Sequence, residues 1–134
     1  MRNIDIGSDT IVFDITTDNT EDVLVPLMLD AAPETVTDAG AVSIATYHTN
    51  LVTTTASAVT LAAASYEGQL KSIQFITDVG DATLTIADPV DASNNVITFA
   101  DVGDSALLVA NKSLLWRIVK VWNCADGSSA PAIS

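Results

Sequence analysis

The chain has 134 residues, of which 49% are hydrophobic and 16% are charged, a balance that predicts a folded domain rather than a disordered polar chain. Seventeen acidic residues against five basic ones give a net charge of -12, which disfavours binding to nucleic acids or to anionic membranes. The single cysteine, Cys124, excludes an intrachain disulfide framework and a cysteine-based zinc site.

The N-terminal third of the chain differs from the rest in charge and in pattern. Residues 1–40 carry nine acids and one base, whereas residues 41–134 carry eight acids and four bases. Residues 1–29 have strand character but are too few to hold a core, and residues 30–40 lack both the helical and the strand periodicity, which predicts a linker. We therefore expect an acidic N-terminal arm or hairpin with a linker over residues 1–40, either solvated or directed at a basic partner.

The N-terminus lacks the apolar run of a signal peptide, and no stretch approaches the ~20 apolar residues of a membrane helix. We expect synthesis in a host cytoplasm.

Residues 41–124 are dominated by short runs of Val, Ile, Thr and Phe, which Gly, Asp, Asn and Pro interrupt about every ten residues. This spacing predicts an all-β domain, either a β-sandwich or a jelly-roll-like fold. The small and polar residues 125–134 are expected to form a surface tail. The predicted strands lie near residues 10–17, 23–29, 41–47, 51–55, 58–62, 69–77, 82–87, 95–100, 105–109 and 113–123.

Two of these segments differ in their hydrophobic pattern. Ala82, Leu84 and Ile86 alternate with threonines, which predicts a half-buried strand with a wetter threonine face. Residues 114–122 are apolar on both faces, which predicts a strand covered on both sides, the second cover being the arm or a neighbouring subunit.

The tetrapeptide Asp-Val-Gly-Asp occurs at residues 78–81 and again at residues 101–104, each time after a run that contains a phenylalanine. A glycine between aspartates is typical of a tight turn, so the pattern predicts two hairpins of similar design. Its carboxylates are also the best candidates for a hard cation, but two per turn supply only part of a calcium shell. We favour the turn interpretation over a metal site at these residues: Asp78, Asp81, Asp101 and Asp104.

The sequence predicts no catalytic residues and no cofactor. His48 is the only histidine, and no nucleophile-elbow pattern accompanies it, so an ordinary loop histidine is expected. Cys124 has no basic neighbour in sequence except Lys120, which indicates an inert, partly buried thiol. Glu67 and Lys71 are expected on the solvent side of a turn that leads into a strand. We therefore do not expect an enzyme.

One further pattern is carried by residues 58–61, 66–73, 80–85, 97–99, 102–108 and Trp116. Together these segments resemble a β-rich module of virion structural proteins of tailed phages, especially marine and cyanobacterial ones. The resemblance covers about half of the chain and implies a β-rich homo-oligomer, most often a trimer, on a capsid or a tail. It supplies no catalytic residues, and residues 1–40 lie outside it.

The resemblance implies two placements in a virion. A capsid decoration, or cement, protein would dock on the major capsid protein and stabilise the lattice, which suits a small β domain with an acidic arm. A tail-fibre or baseplate component, or a receptor- or carbohydrate-binding module, is the alternative. Sugar sites favour exposed aromatics, and only Tyr47 and Tyr66 are expected on loops. We favour the cement role on the virion surface.

Overall fold

The computed structural model describes residues 3–5, 12–14, 32–127 and 129–134. In this part of the chain every helix or strand assigned is a β-strand, so the all-β prediction is confirmed. The strands are β1 (Asn3–Asp5), β2 (Val12–Asp14), β3 (Glu34–Thr37), β4 (Gly40–Val42), β5 (His48–Val52), β6 (Ser57–Leu61), β7 (Leu70–Thr77), β8 (Ala82–Ile86), β9 (Val96–Phe99), β10 (Asp104–Ala110), β11 (Trp116–Asn123) and β12 (Ala132–Ile133).

Two five-stranded sheets form the two layers of a β-sandwich. The first sheet has the strand order β11-β10-β7-β5-β3, and the second has the order β12-β9-β8-β6-β4. Strands β1 and β2 pair with each other in an antiparallel two-stranded sheet.

The first six strands of the sandwich form three superposed coils. The chain passes from β3 to β4, from β5 to β6 and from β7 to β8, and each of these steps crosses from the first sheet to the second. Within each sheet, the strands of successive coils pair in parallel. In the first sheet β3 pairs with β5 and β5 with β7, and in the second β4 pairs with β6 and β6 with β8. A parallel pair needs a connection that returns the chain to its starting end, and here the strand in the opposite sheet makes that return.

The last four strands close the sandwich with antiparallel pairs. Strand β9 pairs with β8 and β12 pairs with β9 in the second sheet, while β10 pairs with β7 and β11 with β10 in the first. Each sheet is therefore mixed, with parallel strands on one side and antiparallel strands on the other.

The core lies between the two sheets. Alternate residues of the strands point inward, and the alternation predicted for β8 is confirmed, with Ala82, Leu84 and Ile86 buried and Thr85 exposed. The phenylalanines that precede the two Asp-Val-Gly-Asp segments, Phe75 and Phe99, meet edge to face with ring centroids 6.4 Å apart. The other large hydrophobic side chains of the core are those of Leu51, Val59, Leu61, Ile73, Ile97, Leu108 and Trp116.

Two segments predicted to lie outside the β domain contribute strands to it. The linker predicted for residues 30–40 contains β3, and the tail predicted for residues 125–134 contains β12. Both strands lie at sheet edges and are short, so their own sequence carries little strand signal, and their partners β5 and β9 define them. The strand predicted for residues 23–29 lies outside the described residues, and the one predicted for 41–47 ends at Val42.

The expectation that residues 114–122 form a strand covered on both sides is wrong. Strand β11 is at the edge of its sheet, and its register against β10 shifts by one residue between Leu107 and Leu108. Val119 is the extra residue of this β-bulge and is 53% exposed. Because a bulge reverses the alternation of side chains, Trp116 and Ile118 face the core before it and Val121 faces the core after it.

The prediction of two hairpins at the Asp-Val-Gly-Asp segments is also wrong. Residues 78–81 join β7 to β8 and residues 101–104 join β9 to β10, and both connections cross between the sheets. Glycine is needed here because each crossing packs closely against a neighbouring segment of the chain. A Cβ on Gly80 would lie 2.5 Å from the backbone nitrogen of Ala56 in the coil beneath, and one on Gly103 would lie 2.5 Å from Cβ of Ala125.

Replacement of Gly103 by alanine tests this packing role. Gly103 has a φ of +96°, so alanine suffers both left-handed backbone strain and the contact with Ala125. We expect the free energy of unfolding to fall by about 2–5 kcal/mol in urea titrations. The control is Gly68→Ala, since Gly68 has a φ of +78° with no atom within 4 Å of the added Cβ. That variant should lose only about 1–2 kcal/mol, and equal losses in the two variants would refute the packing role.

Candidate functional site

Lys71 lies in the interior, although the sequence analysis expected it on solvent. Alternation along β7 puts it on the same inward face as Ile73 and Phe75, and its side chain is 0% exposed. Its ammonium group donates hydrogen bonds to the carbonyl oxygens of Ser43 (2.7 Å) and Thr46 (2.9 Å) and to the hydroxyl of Thr46 (3.0 Å). Lys71 thus fixes the connection between β4 and β5, where the chain leaves the first coil.

A second polar residue, Glu34 at the beginning of β3, supports the same connection. Its carboxylate accepts hydrogen bonds from the backbone N–H of Ser43 (2.9 Å) and from the hydroxyl of the buried Thr49 (2.8 Å). Burial lowers the pKa of Lys71 from 10.5 to about 8, against the opposing charge of Glu34, which raises it. Glu34 therefore ties the first coil to the second, and Lys71, in β7, ties the connection that leaves the first coil to the third. Both groups are taken up by hydrogen bonds within the fold, so we assign them a structural role.

The opposite end of the first coil is held by Asp38. Its carboxylate accepts hydrogen bonds from the backbone N–H (2.6 Å) and the hydroxyl (2.7 Å) of Thr54, which joins β5 to β6. Both hydrogen bonds lower the pKa of Asp38 below its usual value, and the bond from the backbone N–H of Thr54 has the larger effect. Both ends of the first coil are therefore tied to the second through side chains.

The four aspartates that were candidates for a cation do not converge. Asp78, Asp81 and Asp101 are exposed, whereas Asp104 is buried. The carboxylate of Asp104 accepts hydrogen bonds from the backbone N–H of Ala100 (2.8 Å) and Asp101 (3.2 Å) and from the amide of Asn123 (3.1 Å). It shapes the crossing into β10. Over residues 32–127 and 129–134, no three His, Cys, Asp or Glu side chains are grouped to hold a metal ion.

His48 is the first residue of β5, rather than a loop residue, and is half-buried on the outer face of the first sheet. Its Nδ1 lies 3.0 Å from the hydroxyl of Ser72, and its Nε2 lies 3.0 Å from Oδ1 of Asn50. An amide oxygen only accepts, so Nε2 carries a proton, and in a neutral ring Nδ1 accepts from Ser72. The parallel register of β5 and β7 brings Ser72 to His48 across 24 residues of sequence, which the sequence analysis missed.

The Ser72–His48–Asn50 set has the connectivity of a hydrolytic triad but not its surroundings. Acyl transfer also needs donors aimed at a developing oxyanion, most often backbone N–H groups. Strands β5 and β7 are interior strands, so neighbouring strands take up their backbone N–H groups. The set is best interpreted as a polar ladder that joins two strands on the sheet surface.

Cys124 is exposed, so the expectation of a partly buried thiol is wrong. Its sulfur accepts a hydrogen bond from the amide of Gln74 (3.1 Å) and lies 3.6 Å from the hydroxyl of Ser105.

Of the two tyrosines, Tyr66 is 61% exposed and Tyr47 is half-buried. Trp122 is half-buried on the outer face of β11, with the ammonium of Lys120 5.7 Å from its ring centroid.

Among the strand residues that the structure describes, the outer face of the second sheet carries no charged side chain. We call it the threonine face, and it lies opposite the core-facing side chains of Val59, Leu84 and Ile97. The flanking connections hold charged residues, among them Asp81 and Asp88. The threonine face consists of Ala41, Ala58, Thr60, Thr83, Thr85, Val96, Thr98 and Ala132.

In the described part of the chain, exposed positive charge is confined to one hairpin. Of the four basic residues there, Lys71 is buried, and Lys112, Arg117 and Lys120 all lie on the β10–β11 hairpin. This hairpin forms the edge of the first sheet opposite β3. The exposed basic side chains of the described residues therefore lie at one edge of the sandwich.

Comparison of the chain with protein-family models and with curated proteins finds no match. Among the described residues, no helix has the length and the apolar character that a membrane crossing requires.

The buried Lys71 predicts a specific pH dependence of stability. Because its pKa is about 8 when folded and 10.5 in its ordinary state, the unfolded chain binds more protons between these values, and stability rises with pH across that range. We expect a gain of up to about 3 kcal/mol from this residue. The measurement is urea unfolding of the wild type and of Lys71→Met at pH 7.5, 8.5 and 9.5. Parallel pH profiles for the two proteins would contradict the assignment.

Proposed function

We propose that this chain is a structural protein of a phage virion, a decoration or cement protein that docks on the major capsid protein and stabilises its lattice. The observation that carries a docking role is the uncharged threonine face in a chain whose net charge is -12. Charged residues are depleted from the centres of protein interfaces because removing them from water is costly. The resemblance of residues 56–122 to virion modules directs this docking role to a phage particle.

The residues that carry the resemblance belong to the scaffold. Val59, Leu61, Phe99 and Trp116 are core side chains, and Gly103 sits at a crossing between the sheets. A resemblance in core and crossing residues supports a shared architecture, but it does not indicate a binding or catalytic site. The proposal accordingly rests on assembly rather than on turnover.

The dimensions of the threonine face indicate that docking needs a second contact. Five strands spaced about 4.8 Å apart, with two to five residues each, give a face of roughly 300 Å². Stable interfaces bury about 600–1,000 Å² on each partner. The acidic N-terminal arm is the natural source of the remaining area, and its excess of negative charge suits a basic surface on the shell.

The contribution of the threonine face is tested by Thr85→Arg, which places a charge at its centre. We expect this variant to lose binding to particles assembled without the chain, because the arginine would have to be buried unpaired. The matched control is Thr77→Arg, an exposed threonine in the other sheet, which should bind as the wild type does. Co-sedimentation with such particles and cryo-electron microscopy report the result. Full binding by Thr85→Arg would reject this face, and density on the tail would favour the tail-component alternative.

The contribution of the arm is tested by deleting residues 1–29. We expect the truncated chain to lose capsid binding while circular dichroism still reports the β domain, since both five-stranded sheets are built from residues after 33. Undiminished binding by a folded truncated chain would refute the role of the arm.

A further inference from the structure

Trp122 gives the outer face of the first sheet an aromatic ring. The sequence analysis expected aromatic side chains within reach of a ligand only at Tyr47 and Tyr66. The bulge at Val119 instead puts Trp122 on the outer face of β11, where the ring is half-buried and therefore held in place by its surroundings. A planar ring that is fixed on an open sheet is a stacking surface for a ligand.

Polar side chains continue from this ring across the sheet. Trp122 is the cross-strand partner of Ser105, Ser105 that of Gln74, and Gln74 that of Asn50. Neighbouring strands lie about 4.8 Å apart. The row therefore places an aromatic ring and two amides on one line of the same face, with the small side chain of Ser105 between them.

The two amides each keep one polar group for a ligand. Asn50 accepts the Nε2–H of His48 through Oδ1 (3.0 Å), and Gln74 donates through Nε2 to the sulfur of Cys124 (3.1 Å). These bonds orient both amides and, among the described residues, leave Nδ2 of Asn50 and Oε1 of Gln74 for a ligand. A donor thus lies beside an acceptor. Two hydroxyls on adjacent carbons of a sugar ring complement this pair, because each hydroxyl both donates and accepts.

The same face favours a negatively charged ligand. It is formed by alternate residues of β3, β5, β7, β10 and β11, and none of these described residues is Asp or Glu. It carries Arg117 and Lys120, and the ammonium of Lys120 lies 5.7 Å from the centroid of the Trp122 ring. A carboxylate beside the ring therefore meets a cation. The net charge of -12 repels a long polyanion, so a ligand with one carboxylate fits better.

We propose that the outer face of the first sheet binds a saccharide that carries a carboxylate. One sugar ring stacks on Trp122, the carboxylate pairs with Lys120, and hydroxyls further along the ligand bond to Gln74 and Asn50. Two strand spacings, about 10 Å, separate Trp122 from Gln74, so the ligand is at least a disaccharide. An extended peptide fits less well, since it pairs with the backbone at a sheet edge, whereas this row consists of side chains on a face.

The test is titration of the purified full chain with sialyllactose, a trisaccharide with one carboxylate, and with lactose, its neutral part. The side-chain amide signals of Asn50 and Gln74 in NMR spectra report binding. An open face buries less of a ligand than a pocket does, so we expect a Kd of about 1 mM for sialyllactose. Lactose binds about fivefold more weakly, because it lacks the group that pairs with Lys120.

Two variants with matched controls locate the site. Trp122→Ala raises the Kd of both sugars about tenfold. Lys120→Gln raises the Kd of sialyllactose to that of lactose. The controls are Tyr66→Ala, which removes a more exposed aromatic ring away from this face, and Lys112→Gln, which removes a cation of the β10–β11 turn. Both controls bind as the wild type does, and circular dichroism confirms that each variant is folded.

Three outcomes overturn the proposal. The first is that neither sugar shifts the two amide signals at concentrations up to about 10 mM. The second is that Tyr66→Ala weakens binding as much as Trp122→Ala does. The third is that a tetraglutamate peptide binds more tightly than sialyllactose, which would assign the face to an acidic protein segment. The titrations contain no capsid, so a failure of sugar binding leaves docking on a shell unaffected.

Discussion

The hydrogen bonds between successive coils are the constraint on which this structure depends. In its first three coils the chain leaves a sheet after each strand, so a strand is held by a partner one full coil away and never by the strand that follows it. Such ladders are non-local, and each coil needs its neighbour in place before it gains a partner. The side chains of Asp38 and Glu34 tie the first coil to the second. Lys71, in β7, ties the connection that leaves the first coil to the third.

This arrangement separates the polar groups into two kinds. Those that bond to the connections between strands, such as Asp104 and Lys71, are buried and hydrogen-bonded to backbone groups, so they specify the path of the chain. Those on the outer faces, such as His48 and Ser72, lie on an open sheet whose backbone groups are already paired. Over the residues that the structure describes, neither kind gathers into a group that could hold a metal ion. The threonine face is a third kind of surface, on which the described side chains carry no charge.

The strand content was predictable because alternation and turn residues are local signals. The alternation of Ala82, Leu84 and Ile86 requires a half-buried strand wherever it lies in the fold. The Asp-Val-Gly-Asp segments were correctly placed at the connections between strands, but the predicted hairpins are crossings between the sheets. A glycine that permits a hairpin turn also permits close packing at a crossing, and residues 78–81 alone do not distinguish the two. The bulge at Val119 was not predictable for a similar reason. A run that is apolar on both faces fits a strand covered on both sides, but it also fits a strand in which a bulge exchanges the inward and outward positions.

The sequence by itself determined that this chain folds, that it folds as β, and that its surface is acidic, because composition and period-two patterns act within a few residues. Only the tertiary structure decided that the strands coil in parallel, that Lys71 turns inward and that Ser72 meets His48. It also decided that the exposed cations of the described residues lie on one edge. Each of these results depends on which strand lies beside which, and strand order is set by packing across the whole sandwich rather than by any single segment.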